Sequence, residues 1–146
     1  MAVGQFVFML HSHLPYYRKA GMWPFGEENL YECMSETYVP LLNAISELYD
    51  EGIKAKLTVG ITPILAEQLN DEHLKNGFVE YLDSRIASVS KDLERYPDPK
   101  VPHSQHLKYL AKYYFDWFNS IKDSFVYKYQ MDLIGAFKKF QDLGCI

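Results

Sequence analysis

Cysteine is scarce in this chain, and no segment carries the signals that send a protein to a membrane or out of the cell. Cys33 and Cys145 are the only two cysteines, and they stand far apart without a Cys-x-x-Cys spacing. This argues against a disulfide framework and favours a reducing compartment. The N-terminus lacks the basic flank and the small-residue cleavage site of a signal peptide. We therefore expect a cytoplasmic protein.

Long apolar runs and basic clusters are absent as well. The one sizeable apolar run, Phe6–Leu10, is far shorter than the roughly 20 residues that a membrane-spanning helix needs. The chain has 15 Lys and Arg against 19 Asp and Glu, a formal net charge of −4, and its basic residues form no run. This charge distribution argues against the basic surface that binds nucleic acids or anionic membranes. We predict neither a nucleic-acid partner nor a membrane partner.

Aromatic residues, by contrast, are abundant. They make up 16% of the 146 residues, with 12 Tyr and 9 Phe, in a chain that is 48% hydrophobic and 23% charged. A chain of this length and composition can bury the core of one globular domain. Tyrosine and tryptophan have flat faces and a polar edge that suit sugars, but the same side chains also fill cores. Composition alone leaves their role open.

A predicted strand followed by two histidines is the first pattern with functional content. Residues Phe6–Leu10 are all apolar, as in a strand of a parallel sheet that is buried on both faces, and we predict strand 1 at about residues 5–11. His11 and His13 follow at the carboxyl end, where ligands bind in α/β proteins. Three interpretations stay open: ligands of a divalent metal, hydrogen-bond donors to sugar hydroxyls, or structural residues.

The segment after this strand, residues 14–28, is predicted to be a loop because prolines and glycines interrupt it. It is also rich in large apolar side chains, namely Tyr16, Tyr17, Met22, Trp23 and Phe25. A loop this long and this aromatic is usually functional. The alternative, which is compatible with a function, is a hydrophobic lid that folds over the end of the barrel. Glu27 and Glu28 at its end could be acids near a site, although acidic residues in a first turn are more often partners of the helix dipole.

A helix and a second strand are predicted next. Apolar residues between Tyr31 and Tyr49 recur at three- and four-residue intervals, as on one face of a helix that Pro40 should kink or split. Gly52 provides the left-handed residue that commonly ends a helix. Beyond it, apolar residues alternate with lysine and threonine, which predicts strand 2 at about residues 53–61.

Helices are predicted for most of the remaining chain. Thr62 and Pro63 indicate a helix start, with the threonine hydroxyl as N-cap and the proline in the first turn. We predict a helical insert at about residues 63–143 and the start of a third strand at residue 145, because a glycine-capped helix followed by apolar residues often leads into a strand. The fold class is α/β, and residues 1–146 are interpreted as the N-terminal piece of a larger α/β barrel.

Five segments together resemble glycoside hydrolase family 57, and within it the subgroup similar to 1,4-α-glucan branching enzymes. They are Phe8–Tyr16, Trp23–Glu28, Tyr31–Glu32, Glu36–Tyr38 and Thr58–Leu69. The resemblance implies a seven-stranded (β/α) barrel, a TIM-like barrel of which this chain is an incomplete part. It also implies a retaining mechanism on α-1,4-glucans, with a Glu nucleophile, an Asp acid/base and no metal or other cofactor. In a branching enzyme a glucan 6-hydroxyl, rather than water, attacks the glycosyl-enzyme.

The same resemblance implies roles for four residues and an α-glucan polysaccharide as partner. His11 and His13 would contact the sugar in the cleavage subsite, and Trp23 would belong to the aromatic wall of the glucan cleft. Thr62 would lie near that site at the end of the second strand. These four are the predicted substrate-binding residues.

No residue of this chain matches the family's nucleophile or its acid/base, which belong to later motifs. We therefore assign no catalytic residue and expect the chain alone to be inactive, with the remaining polypeptide of a split gene as a candidate partner. Two alternatives stay open. One is a metal-dependent barrel hydrolase that uses His11 and His13 as ligands, and the other is a truncated gene product without catalytic function.

Overall fold

The structure, a computed structural model, describes residues 3–4, 6–96 and 102–146. Two short strands and a larger set of helices make up these residues. In chain order they are β1 (Met9–Ser12), α1 (Glu27–Cys33), a first π-helical turn (Met34–Tyr38), α2 (Val39–Asp50), β2 (Thr58–Ile61), α3 (Pro63–Asn70), α4 (Glu72–Arg95), α5 (Ser104–Asp123), a second π-helical turn (Ser124–Lys128) and α6 (Leu133–Asp142). The α/β class is confirmed, and helices make up most of the predicted insert in the residues that the structure describes; residues 97–101 lie outside the described residues.

The two strands pair in parallel. Met9 lies opposite Thr58 and Ser12 lies opposite Ile61. Parallel strands require a crossover connection, which α1, the first π-helical turn and α2 provide. The carboxyl ends of β1 and β2 therefore lie at the same edge of the pair.

The predicted first strand, at about residues 5–11, is wrong in its bounds and in its burial. β1 begins at Met9 and ends at Ser12, and Gln5 lies outside the described residues. The apolar residues that lead into it are more than half exposed, namely Phe6, Val7, Phe8 and Met9. A strand buried on both faces needs covering layers on both sides, and the described elements do not cover this run.

The second strand is also shorter than the predicted residues 53–61, because it begins at Thr58. Lys56 has a φ of 50°, in the left-handed region, and this interrupts the extended backbone before β2. Cys145, which follows α6, lies beside the segment that enters β2, because its carbonyl accepts from the Leu57 N–H at 3.3 Å. Residue 145 is not part of a strand here, and a third strand that starts there stays a prediction.

Proline and glycine act in the α1–α2 region much as the sequence predicts. Pro40 is the second residue of α2, and the π-helical turn directly before it changes the hydrogen-bonding pattern of a helix that otherwise continues through it. Gly52 has a φ of 80°, and the Ile53 N–H reaches back to the Leu48 carbonyl at 2.8 Å. This is the left-handed helix ending expected for a glycine.

Helices, rather than strands, form the core. Its completely buried side chains include Leu30, Tyr31, Leu42, Leu65, Leu74, Phe78, Leu82, Phe125 and Leu133. Phe78 of α4 packs edge-on against Phe125, with 4.9 Å between the ring centroids. Val59 and Ile61 of β2 pack against this cluster, so the helical core supports the strand pair. In the part of the chain that the structure describes, no helix is both long and apolar enough to cross a membrane.

Phe78→Ala tests this description of the core. The substitution removes a ring that is 0% exposed and should lower the free energy of unfolding by about 3–5 kcal/mol. Urea unfolding followed by circular dichroism measures the change. Tyr127→Ala is the control, because its side chain is 75% exposed and its removal should change stability by no more than about 0.5 kcal/mol. Equal losses for the two variants would contradict the assigned core.

Candidate functional site

Three of the four predicted substrate-binding residues lie where β1 and β2 end. His11 pairs with Gly60 of β2, and His13 follows β1 directly after Ser12. The Thr62 N–H donates to the Ser12 carbonyl at 3.2 Å, which extends the strand pairing to Thr62. His11 and His13 are both exposed. We call this place, formed by His11, His13 and Thr62, the strand-end edge.

Gly60 gives the imidazole of His11 the space that it occupies. A Cβ atom added at Gly60 would lie 3.2 Å from His11 Nδ1, closer than side chains normally approach a Cβ. Any larger residue would therefore displace the ring by a few tenths of an ångström. The sequence motif Thr58–Leu69 thus contributes to the strand-end edge through a residue without a side chain.

Thr62 does not have the capping role that the sequence predicts. α3 does begin at Pro63, but the Thr62 side chain makes no capping hydrogen bond. Its Oγ1 atom is buried and has no hydrogen-bond partner among the described residues. A buried hydroxyl without a partner costs free energy and calls for an explanation. As placed, this hydroxyl is not accessible to a ligand, although the backbone of Thr62 lies at the strand-end edge.

The fourth predicted residue, Trp23, belongs to the segment that we call the aromatic loop, residues 14–26. Its large side chains are mostly exposed: Tyr16, Met22, Trp23 and Phe25, with Trp23 and Phe25 at 77% and 83%. These four side chains do not fold down on the described core as a lid would. Tyr17 and Leu14, in contrast, pack against the core and hold the first part of the loop.

A buried glutamine of α3 also holds this first part. Gln68 is 1% exposed, and its Oε1 accepts from the Tyr17 N–H at 2.6 Å while its Nε2 donates to the Pro15 carbonyl at 2.9 Å. Next to it, Arg18 Nε donates to Asp71 Oδ2 at 2.7 Å. Asp71 additionally caps α4 by accepting from the Leu74 N–H. The chain that follows β2 therefore fixes the chain that follows β1.

A buried carboxylate, Glu27, holds the second part of the aromatic loop. Glu27 is 6% exposed, and its Oε1 accepts from the Lys19 N–H at 2.6 Å and lies 2.8 Å from His73 Nε2. Its Oε2 accepts from the Tyr31 hydroxyl at 3.0 Å. Burial by itself works to raise the pKa of Glu27, but the hydrogen bonds from Lys19, His73 and Tyr31 outweigh it and lower the pKa below its ordinary value.

Sequence reasoning missed both of these loop contacts. Glu27 does lie in the first turn of α1, as predicted, but its burial and its hydrogen bonds to Lys19, Tyr31 and His73 were not predicted. The sequence did contain a signal, because each polar residue lies on the apolar face of its helix. Glu27 is one turn before the buried Tyr31, and Gln68 is one turn after the buried Leu65. Their partners, however, are up to 53 residues away in sequence.

Comparison with known proteins gives the family. The profile of Glycosyl hydrolase family 57 matches residues 7–146. The chain belongs to this family. The 1,4-alpha-glucan branching enzyme TK1436 of Thermococcus kodakarensis is 40% identical over 145 residues, which are 98% of this chain and 20% of that enzyme. The probable branching enzyme Rv3031 of Mycobacterium tuberculosis is 40% identical over 79 residues, or 54% of this chain and 15% of that protein.

Solved structures of other proteins share the fold of this chain. The branching enzyme of Pyrococcus horikoshii matches with a TM-score of 0.86 and 37% identity, over 94% of this chain and 25% of that chain. The alpha-amylase AmyC of Thermotoga maritima matches with a TM-score of 0.79 and 30% identity, again over 94% and 25%. The family resemblance of the sequence motifs is therefore confirmed. This chain spans about a quarter or less of the length of these relatives.

The alternative of a metal-dependent hydrolase gains no support from the site. Within the residues that the structure describes, no group of three or more His, Cys, Asp or Glu side chains is arranged to hold a metal ion. A catalytic zinc site uses three protein ligands, and His11 and His13 have no third such ligand in the described chain.

Glu27→Gln should change how stability depends on pH. The folded-state pKa of Glu27 lies below its ordinary value of 4.5, so the carboxylate's stabilisation is present above pH 4.5 and is lost as the pH falls through the folded-state value. Since the amide cannot accept all three hydrogen bonds, the variant should lose about 1–3 kcal/mol at pH 7 and show a weaker loss of stability in acid.

Urea unfolding between pH 7 and about pH 3 measures both effects. Glu32→Gln is the matched control, because Glu32 is exposed on the same helix and should leave the pH dependence unchanged. Parallel acid-unfolding profiles for the native chain and Glu27→Gln would contradict the assigned role of the carboxylate.

Proposed function

We propose that this chain is the N-terminal portion of the catalytic barrel of a family 57 enzyme that branches α-1,4-glucans, with β1 and β2 as the first two strands of a (β/α)7 barrel. The observation that carries the proposal is the 40% identity to a branching enzyme over 98% of the chain. That match includes the strand-end edge and the aromatic loop. Substrates bind at the carboxyl edge in barrels of this kind, which agrees with the position of His11, His13 and Thr62.

The four substrate-binding residues offer complementary contacts to a glucan. The imidazoles of His11 and His13 are exposed and can donate to sugar hydroxyls. Thr62 lies beside them at the end of β2, and its hydroxyl, which is buried without a partner among the described residues, would reach a sugar hydroxyl only after its side chain rotates towards the ligand. Trp23 offers an exposed flat face on which the apolar side of a glucosyl ring can stack.

This arrangement binds and orients the substrate, while the reacting groups come from elsewhere. Glu27, the buried carboxylate beside the loop, already accepts three hydrogen bonds within the protein, and this argues against a catalytic role for it. In the retaining mechanism of the family, a Glu carboxylate attacks the anomeric carbon while an Asp protonates the departing glycosidic oxygen. The Asp then takes the proton of a glucan 6-hydroxyl, which attacks the same carbon and releases the Glu.

Hydrolysis of α-glucans is a second candidate reaction. The observation in its favour is the similarity to the alpha-amylase AmyC, at 30% identity and a TM-score of 0.79. Branching is preferred because the branching enzymes match with higher identity. In either case α-glucan polysaccharide is the proposed partner. A complementary polypeptide from a split gene and a cytoplasmic location stay predictions.

Trp23→Ala tests glucan binding by this chain. Removing the exposed indole should weaken maltoheptaose binding about tenfold, or about 1.4 kcal/mol, because a stacking surface is lost. Isothermal titration calorimetry measures the affinity. Tyr127→Ala, an equally exposed aromatic on the second π-helical turn, is the matched control and should bind like the native chain. An unchanged affinity of Trp23→Ala would count against the aromatic wall.

An amylose and iodine assay tests the expected lack of catalysis. Amylose incubated with the purified chain should keep its iodine absorption spectrum, because no residue here matches the nucleophile or the acid/base of the family. The Thermococcus kodakarensis branching enzyme serves as the positive control. A spectral shift produced by this chain alone would show that it contains reactive groups that the motif comparison does not assign.

A further inference from the structure

We propose that Glu27 is a positioning residue, which holds the part of the aromatic loop that carries Trp23 in the conformation that binds glucan. The inference rests on the proposed function for the identity of the ligand. It goes beyond that function because it assigns to a buried carboxylate, which is not one of the predicted substrate-binding residues, control over the loop that carries Trp23.

Both oxygens of the Glu27 carboxylate are used, and their partners come from three parts of the chain. The Lys19 N–H belongs to the aromatic loop, the Tyr31 hydroxyl belongs to α1, and His73 belongs to the first turn of α4. An ionised carboxylate only accepts hydrogen bonds, so all three partners act as donors. Hydrogen bonds to a charged acceptor are stronger than neutral ones. The carboxylate therefore ties the loop to two helices at once.

The backbone of Glu27 closes the same loop from the other side. Its N–H donates to the Gly21 carbonyl at 2.8 Å, and the N–H of Glu28 donates to the Met22 carbonyl at 3.3 Å. Gly26 permits this close approach, because a Cβ atom there would lie only 2.0 Å from the Gly21 carbonyl oxygen. Residues 19–27 thus form a turn whose two ends are joined by Glu27. Its carboxylate accepts from the N–H of Lys19, and its own N–H donates to the carbonyl of Gly21.

Trp23 and Phe25 lie within this turn, and packing does little to fix them. They are 77% and 83% exposed, so the conformation of the turn depends on the hydrogen bonds at its base. A loop backbone that must become ordered on binding loses affinity through lost conformational freedom, and a backbone that is held beforehand avoids this cost. Glu27 supplies that prior order. Glu28, which pairs with Arg85 of α4, attaches the following residue to the same helix.

Glu27→Gln tests the proposal in a Trp117→Phe background, in which Trp23 is the sole tryptophan. Time-resolved fluorescence anisotropy reports nanosecond motion of the indole, and calorimetry reports maltoheptaose affinity. Glu27→Gln should gain a fast anisotropy component and bind about fivefold more weakly. Glu32→Gln, the same chemical change at an exposed position of α1, should match the parent in both measurements. A folded Glu27→Gln chain with unchanged anisotropy would overturn the proposal.

A pair of His73 variants keeps the test decisive if Glu27→Gln does not fold. His73 is partly exposed, so its replacement is tolerated more easily. His73→Gln retains a nitrogen that can donate to Glu27, whereas His73→Ala removes the donor. The proposal requires faster Trp23 motion in His73→Ala and near-native motion in His73→Gln. Equal anisotropy decays in these two variants would refute it.

The affinity and anisotropy measurements also separate this inference from the proposed function. Failure of the parent chain to bind maltoheptaose would contradict the proposed function, yet the anisotropy comparison would still decide whether Glu27 orders the loop. Conversely, normal binding by a Glu27→Gln chain with a mobile Trp23 would retain the proposed function and overturn the positioning role.

Discussion

The parallel pairing of β1 with β2 is the constraint on which the candidate site depends. It brings both carboxyl ends to one edge, so Ser12 and Thr62 become neighbours although a crossover of helices separates them in sequence. Two strands of four residues would not be stable alone. The helical core supports them through Val59 and Ile61, and the strand-end edge therefore depends on packing that occurs mostly between helices.

Hydrogen bonds from buried polar side chains fix the backbone of the aromatic loop, whereas apolar packing holds the core together. Gln68 satisfies the backbone of Pro15 and Tyr17, and Glu27 satisfies that of Lys19. Gln68 and Glu27 are almost fully buried. Removal of either side chain would therefore leave the backbone groups that it contacts without a hydrogen-bond partner. The loop can then expose tryptophan and phenylalanine to solvent and still keep a defined backbone, a combination that suits recognition of a sugar chain.

Local patterns predicted the parts of this structure that depend on neighbouring residues. Helix periodicity, Pro63 in a first helical turn and Gly52 at a helix end are fixed by backbone geometry within one turn. The motif comparison likewise identified the family. Burial of the first strand was not predictable in this way, because it depends on elements that cover it. Glu27 and Gln68 were missed for the same reason: contacts made far along the chain determine what each of them does.

An NMR titration with maltoheptaose tests the central claim most directly, namely that the strand-end edge and the aromatic loop form a glucan-binding surface. Amide ¹H–¹⁵N spectra of the native chain would be recorded with increasing ligand. The largest shifts are expected at His11, His13, Trp23 and Thr62, with little change along α5 and α6. Shifts confined to α5, where Tyr109 and Tyr113 are also exposed, or no shifts at all, would contradict the claim.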